Sequence, residues 1–171
     1  EIVSQTVAHG KVIERLLYTD HSSGEKICNE TAVPFYAAQD RILLAQGTQL
    51  DPRSIDDAIA NGGYAAMARV LAYADPGHVI EELKRSGLRR PESVGLLTGS
   101  VWEDARTATD DRRKPVVCTT DESDPAAHVD RTILESNPHA VLEGMILGAY
   151  AIGACIGRVR LRDEHRLASQ H

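Results

Sequence analysis

Four carboxylates crowd one short stretch of the chain: Asp121, Glu122, Asp124 and Asp130. Carboxylates accept hydrogen bonds and bring negative charge to a site; taken alone, such a run reads as a solvated loop. The histidines His78, His128 and His139 have no ligand-like spacing, and His139, at a helix start, reads as a capping or surface residue. Cys28, Cys118 and Cys155 lie far apart, with no C-x-x-C pair. That argues against a zinc or iron–sulfur site and for reduced, mostly buried thiols. No Ser/His/Asp or Cys/His nucleophile pattern is present.

The elements around these residues change period along the chain. Over residues 1–50 the pattern is of short extended pieces: a strand over Lys11–Tyr18, a turn at His21–Gly24 and a strand at Arg41–Leu44. This stretch is expected to be a connecting arm. From Asp51 the period is helical. Asp51-Pro52 opens a helix with an apolar stripe of Ile55, Ala58 and Ile59, stopped at Asn61–Gly63. Tyr64, Met67, Ala68 and Leu71 give a second short helix. Asp75-Pro76 opens a third, with Val79, Ile80 and Leu83 on one face and Gly87 as its end. Glu81 and Arg85, four apart, form a solvated pair. Pro115–Cys118 and Gly157–Leu161 are strand candidates. Between them Pro138–Ala154 is the strongest helix, with a nearly continuous apolar surface, expected to be the most buried element. Strand, buried helix, strand is a βαβ unit, so the fold class is α/β with a parallel sheet.

With 171 residues, 42% of them hydrophobic and 26% charged, the chain has the balance of a soluble globular domain. A net charge of −6 argues against a nucleic-acid partner. No apolar run reaches the ~20 residues of a membrane span, so no direct membrane insertion is expected. No signal pattern is present, which points to the cytoplasm. The start at Glu1 suggests a fragment or a processed chain.

Three stretches are similar to the family of NADH dehydrogenase flavoprotein subunits, the NADH- and FMN-binding subunits of respiratory complex I and of NAD-linked hydrogenases and formate dehydrogenases. Leu50–Tyr64 resembles the family's D-P-x-S-I-x-x-Y-x-x-x-G-G-Y segment. Val79–Arg89 resembles the helix that leads into the flavin loop. Val116–Pro125, Asp130–Glu135 and Pro138–Ala154 resemble V-V-C-N-A-D-E-G-D-P, D-R-x-I-L-E and a P-H-x-V-L-E-G-M-I helix. The resemblance covers roughly residues 10 to 165 and only the first half of the family's chain. It implies a partial Rossmann-like FMN/NADH-binding domain over residues 51–171, without the ubiquitin-like and iron–sulfur domains. FMN and NADH are the implied cofactors, with no iron–sulfur cluster in this chain. Other subunits of an electron-transfer complex are the implied partners, and the implied activity is hydride transfer from NADH to FMN with electrons passed on to clusters.

The resemblance also names site residues. The family's loop G-R-G-G-x-G-F-P-T-G-x-K-W aligns with Arg90–Trp102, where Gly95, Thr98, Gly99 and Trp102 are kept. Gly95, Thr98 and Gly99 are the cofactor-loop candidates, since glycines let backbone N–H groups approach a phosphate. Asp121 and Glu122 match the family's flavin- and nicotinamide-binding pair. Elsewhere the loop departs. Arg90, Glu92 and Ser93 replace glycines, Pro91 removes an N–H donor, Glu92 adds a carboxylate, and Val101 stands in place of the lysine. FMN is therefore expected to bind weakly or not at all. The alternative is a truncated relative without flavin, acting as an interaction module or persisting as a remnant.

Overall fold

The computed structural model describes residues 1–45, 50–73, 75–90, 95–108, 113–120, 128–163 and 165–170. The chain divides into two compact units, Glu1–Ile42 and Leu43–His171. In the first, a turn at residues 21–23 joins strands β1 (Tyr18–Thr19) and β2 (Lys26–Ile27), paired antiparallel with Tyr18 opposite Ile27. Asp20 builds that turn by accepting from the Ser22 amide at 3.1 Å and the Ser22 hydroxyl at 2.8 Å. These bonds, the backbone one foremost, hold its pKa below the ordinary carboxylate value. A short helix, α1 (Pro34–Ala37), follows the buried Val33. Two expected strands are absent. Glu14–Leu16 is a 3-10 turn, and residues 42–44 are bend and turn. A strand needs a partner for its backbone donors and acceptors; of the Lys11–Tyr18 run only Tyr18 finds one, in β1, and among the described residues 41–44 have none.

The second unit holds six α-helices, a 3-10 helix (Ala168–Gln170) and a parallel strand pair among its described residues. Ser54, not Asp51, caps α2 (Ile55–Ala60) by accepting from the Asp57 amide at 3.1 Å. Ala58 is buried on this helix, whereas Ile55 and Ile59 are exposed. α3 (Ala65–Tyr73) follows. α4 (Pro76–Ser86) starts and stops where its sequence signals stand: Asp75 accepts from the Gly77 and His78 amides, and Gly87 closes the helix at φ 69°. Its charged residues pair at three-residue spacing, Glu81 with Lys84 and Glu82 with Arg85, in place of the expected Glu81–Arg85 pair.

α5 (Thr98–Thr107) leads to β3 (Pro115–Thr119). Then come α6 (Val129–Ser136), α7 (Pro138–Ile152) and β4 (Ile156–Arg160). β3 and β4 pair in parallel, Pro115 opposite Ile156 and Thr119 opposite Arg160, so the expected βαβ unit is formed with two helices in its crossover. The fold is α/β. α7 packs on α3, α4, α5, α6 and both strands. Its C-terminal half carries the buried Gly148 and Ala151, while Leu142 and Ile146 stay exposed on one flank. Burial of this helix is thus greatest where α4 and α5 cover it. The core joins Val79 and Ile80 to Ala151, with Val70, Trp102 and Tyr150 half-buried around them. Each fully buried aliphatic side chain of this kind contributes about 1.5–3 kcal/mol.

Candidate functional site

In an open α/β sheet the ligand crevice lies outside the C-terminal ends of the parallel strands. Here that edge ends at Thr120, a buried residue whose amide and hydroxyl both donate to the Arg160 carbonyl, at 3.1 and 3.3 Å. This pins the end of β3 to the end of β4. Asp121 and Glu122 come next in sequence and lie outside the described residues.

α5 points its N-terminus at the same edge. Trp102 lies on Gly148, and Arg106 reaches the Ala151 carbonyl at 3.4 Å, so α5 and α7 run in the same direction. α7 in turn packs on both strands and feeds β4 through a short turn, so it runs opposite to them. At the far end of α5, Lys114 donates to the carbonyls of Ala105 and Arg106 at 2.7 and 2.8 Å, a cation closing a helix C-terminus. The N-terminal end, with Gly95, Thr98 and Gly99, therefore faces the strand ends.

The loop that enters α5 is held at its base like a hairpin. Thr98 N–H donates to Leu88 C=O at 2.8 Å and Arg90 N–H to Leu96 C=O at 3.0 Å, around an antiparallel bridge between Arg89 and Leu97. The Arg89 guanidinium folds onto the Gly95 carbonyl at 2.5 Å. Pro91, Glu92 and Ser93, three of the departures from the family's loop, lie outside the described residues. Gly95 takes φ +76°, a left-handed turn that suits glycine. Leu97 sits at the N-cap of α5 and offers no side-chain acceptor.

Gly99 is buried, and the space a side chain would need is already filled. A Cβ there would stand 2.7 Å from Lys84 Cγ, 2.8 Å from Lys84 N and 3.0 Å from the Ile80 carbonyl oxygen. This glycine lets α4 and α5 touch backbone to backbone. Lys84, lying against it, is committed to Glu103 at 2.7 Å and Glu81 at 3.1 Å; those two bonds, Glu103 first, raise its pKa. Trp102, kept from the family's loop, packs into the core.

One constellation was not foreseen from the sequence. The Glu143 carboxylate accepts from the Tyr64 and Met67 amides, each at 3.0 Å, and so caps α3 from a distant helix. Tyr64 Oη lies 2.8 Å from His139 Nδ1, with the two rings edge to face. Burial, and then the Glu143 charge, raise the Tyr64 pKa. His139 is thus neither a cap nor a bare surface residue: Asn137 caps α7 by accepting from the Ala140 amide at 3.2 Å. The signal was in the sequence, since His139 and Glu143 stand one turn apart and Tyr64 ends a Gly-Gly-Tyr run. Their partnership spans 75 and 79 residues, which no local period reveals.

The thiols also depart from expectation. Cys28 and Cys155 are exposed; only Cys118 is partly buried, and burial, with Asp130 nearby, raises its pKa. Cys28 directly follows β2 and Cys155 directly precedes β4. A cleft of about 350 Å³ between α6, α7 and the end of β4 is lined by Leu134, His139, Leu142, Val159 and Leu161. Among the described residues no group of His, Cys, Asp and Glu side chains is arranged to hold a metal. None of their helices is long and apolar enough to cross a membrane.

A parallel βαβ unit, with α5 packed on α7 and running opposite to the strands, defines an α/β domain. Residues 83–171 match the family model described as the Nuo51 FMN-binding domain, and the chain belongs to that family. It is 46% identical over 119 residues to the HndC subunit of the NADP-reducing hydrogenase of Solidesulfovibrio fructosivorans, a match covering 70% of this chain and 24% of that one. It is 37% identical over 106 residues to the second F subunit (F 2) of the NADH-quinone oxidoreductase of Rhizobium meliloti (strain 1021), covering 62% and 25%. To the F subunit of the NADH-quinone oxidoreductase of Aquifex aeolicus (strain VF5) it is 34% identical over 124 residues, covering 72% and 28%. The chain spans about a quarter of the length of these curated relatives.

Proposed function

We propose that this chain is the flavin-domain segment of an NADH-oxidising flavoprotein subunit, working with other subunits of an electron-transfer complex, and that its altered loop holds FMN weakly. Within the whole flavoprotein, FMN would take hydride from NADH and release electrons singly to iron–sulfur clusters. What supports the proposal is the direction of α5: entered from the Leu88–Thr98 hairpin base and aligned with α7, it runs opposite to the strands, so its N-terminus points toward the end at which β3 and β4 finish. On this reading the amides of the Gly95–Gly99 turn face the cofactor's phosphate, and Asp121 and Glu122, following Thr120, face its ring and the nicotinamide.

Weak binding follows from the residues present. Gly99 spends its missing side chain on α4, Lys84 is already paired, Pro91 donates nothing, and Glu92 opposes a phosphate. Those same features favour a second reading, a relative that binds no flavin and acts by contact with partner subunits. The test is to mix the purified chain with FMN, pass it through a desalting column and record its absorbance. Substoichiometric flavin that washes out supports the proposal. A chain that carries no flavin even at millimolar FMN supports the second reading, and retention at one flavin per chain overturns weak binding.

A further inference from the structure

The amides at the entry to α5 divide into those that are spent and those that are not. Thr98 donates to the Leu88 carbonyl, and Ser100 and Val101 both donate to Leu97, at 3.1 and 3.2 Å. Leu96, Leu97 and Gly99 have no acceptor for their amides among the described residues. The Gly95–Leu96 peptide is the part of this turn that the hairpin base leaves loose. Gly95 stands at φ +76°, and glycine crosses readily between positive and negative φ. No backbone donor reaches the Gly95 carbonyl among the described residues; its partner is the Arg89 guanidinium, at 2.5 Å. Arg89 reaches it because it stands opposite Leu97, which makes Gly95 its diagonal neighbour across the hairpin. Its Cδ lies 3.9 Å from where a Gly95 Cβ would be, so the side chain is laid along the turn. Arg89 makes no ion pair among the described residues that would draw it elsewhere.

We propose that Arg89 is a positioning residue of the flavin loop, holding the Gly95–Leu96 peptide so that the turn offers amides, not a carbonyl, to the cofactor's phosphate. The proposal rests on the flavin reading given above. The carbonyl and the N–H of a trans peptide point in opposite directions, so a hold on the Gly95 oxygen also fixes the direction of the Leu96 amide. Released from the guanidinium, this peptide is free to turn over at its glycine. A carbonyl oxygen then stands where a donor should, and it repels an anion. Arg89 acts through the backbone in this account, and its effect is confined to the phosphate end of the cofactor.

The experiment titrates the full chain, Arg89→Met and Arg89→Lys with FMN and with riboflavin, which lacks the phosphate, and reads binding by flavin fluorescence. Arg89 is exposed, so both variants are expected to fold, and circular dichroism checks this. The parent should bind FMN more tightly than riboflavin. Arg89→Met should weaken FMN binding about three- to tenfold, the scale of one hydrogen bond, and leave riboflavin binding within about twofold. Arg89→Lys, which keeps a cationic donor, should recover part of the loss. The loss should persist in about 1 M salt, where charges are screened beyond about 3 Å, because the guanidinium acts through the peptide it holds. FMN binding unchanged in Arg89→Met, FMN and riboflavin weakened alike, no recovery in Arg89→Lys, or a loss that vanishes in salt would overturn the proposal and leave the flavin reading standing. A variant that loses its folded spectrum would overturn it too, by showing that the bond holds the fold and not the loop alone. A parent that binds FMN no better than riboflavin, or binds neither, removes the flavin reading and the proposal with it.

Discussion

Gly99→Ala tests whether the loop's last retained glycine serves helix packing. The new Cβ would stand 2.7 Å from Lys84 Cγ, 2.8 Å from Lys84 N and 3.0 Å from the Ile80 oxygen. The lysine side chain can swing aside, but the other two atoms are backbone. Carbon atoms sit comfortably at about 3.5–4.0 Å, so α4 and α5 must part by roughly 0.5–1 Å. Overpacking of this kind costs about 1–3 kcal/mol, against which alanine's better helix propensity returns at most about 1 kcal/mol. The net loss is about 1–2 kcal/mol, a fall in Tm of roughly 3–8 °C for a unit of this size. Gly144→Ala is the control, because nothing lies within 4 Å of its Cβ position on the same kind of helix. That change should stabilise by about 0.5–1 kcal/mol. Urea unfolding of the two variants checks both numbers. Gly99→Ala as stable as the parent, or both variants shifting in the same direction, would refute the packing role.

Three further outcomes are expected. Glu143→Ala strips the Tyr64 and Met67 amides of their acceptor and should cost about 1–3 kcal/mol, with Glu143→Gln recovering part of it; hydrogen exchange at those two amides should speed up in step. Tyr64, Lys84 and Cys118 all have pKa values raised above their ordinary 10.0, 10.5 and 9.0. A raised folded pKa gives stability, relative to high pH, that is full below the unfolded value and lost as pH climbs through the folded one. Stability should therefore decline once pH passes about 9, with the Cys118 contribution first, and a urea midpoint that stays flat from about pH 8 to about pH 11 would contradict this. Finally, a Cβ on Gly148 would press on the Trp102 ring at 3.2 Å. Trp102 is the chain's one tryptophan, so Gly148→Ala should shift the intrinsic fluorescence, and an unchanged spectrum would mean the ring does not pack there.

The elements legible in the sequence were those whose ends are set locally. α4 was bounded by Asp75-Pro76 and Gly87, and the start of α7 was marked by Asn137-Pro138, whereas its end falls at Gly153, φ 74°, a residue inside the helix expected over Pro138–Ala154. β3 and β4 declared themselves as short apolar or alternating runs on either side of α7. α5 was not visible, because Leu97 at its N-cap offers no acceptor and only Gly99 is buried along its length. The exposed Ile55 and Ile59 show the reverse error, an apolar stripe that the second unit leaves uncovered. In the candidate site, the family's loop was recognisable by letters, but the reason for one of its glycines was not. Gly99 answers to Ile80 and Lys84 on another helix, and such a contact leaves no period in the sequence.

The most direct test of the central claim is a paired calorimetric titration with FMN. One protein is the chain as it stands. The other has Arg90→Gly, Pro91→Arg, Glu92→Gly, Ser93→Gly and Val101→Lys, which returns the amide donors and the cation to the loop. The expected result is weak binding by the parent and affinity at least about tenfold higher in the restored loop, a gain of about 1.4 kcal/mol. Tight stoichiometric binding by the unaltered chain, or no gain on restoration in a variant that folds as the parent does, would contradict the claim that these loop residues set the flavin affinity.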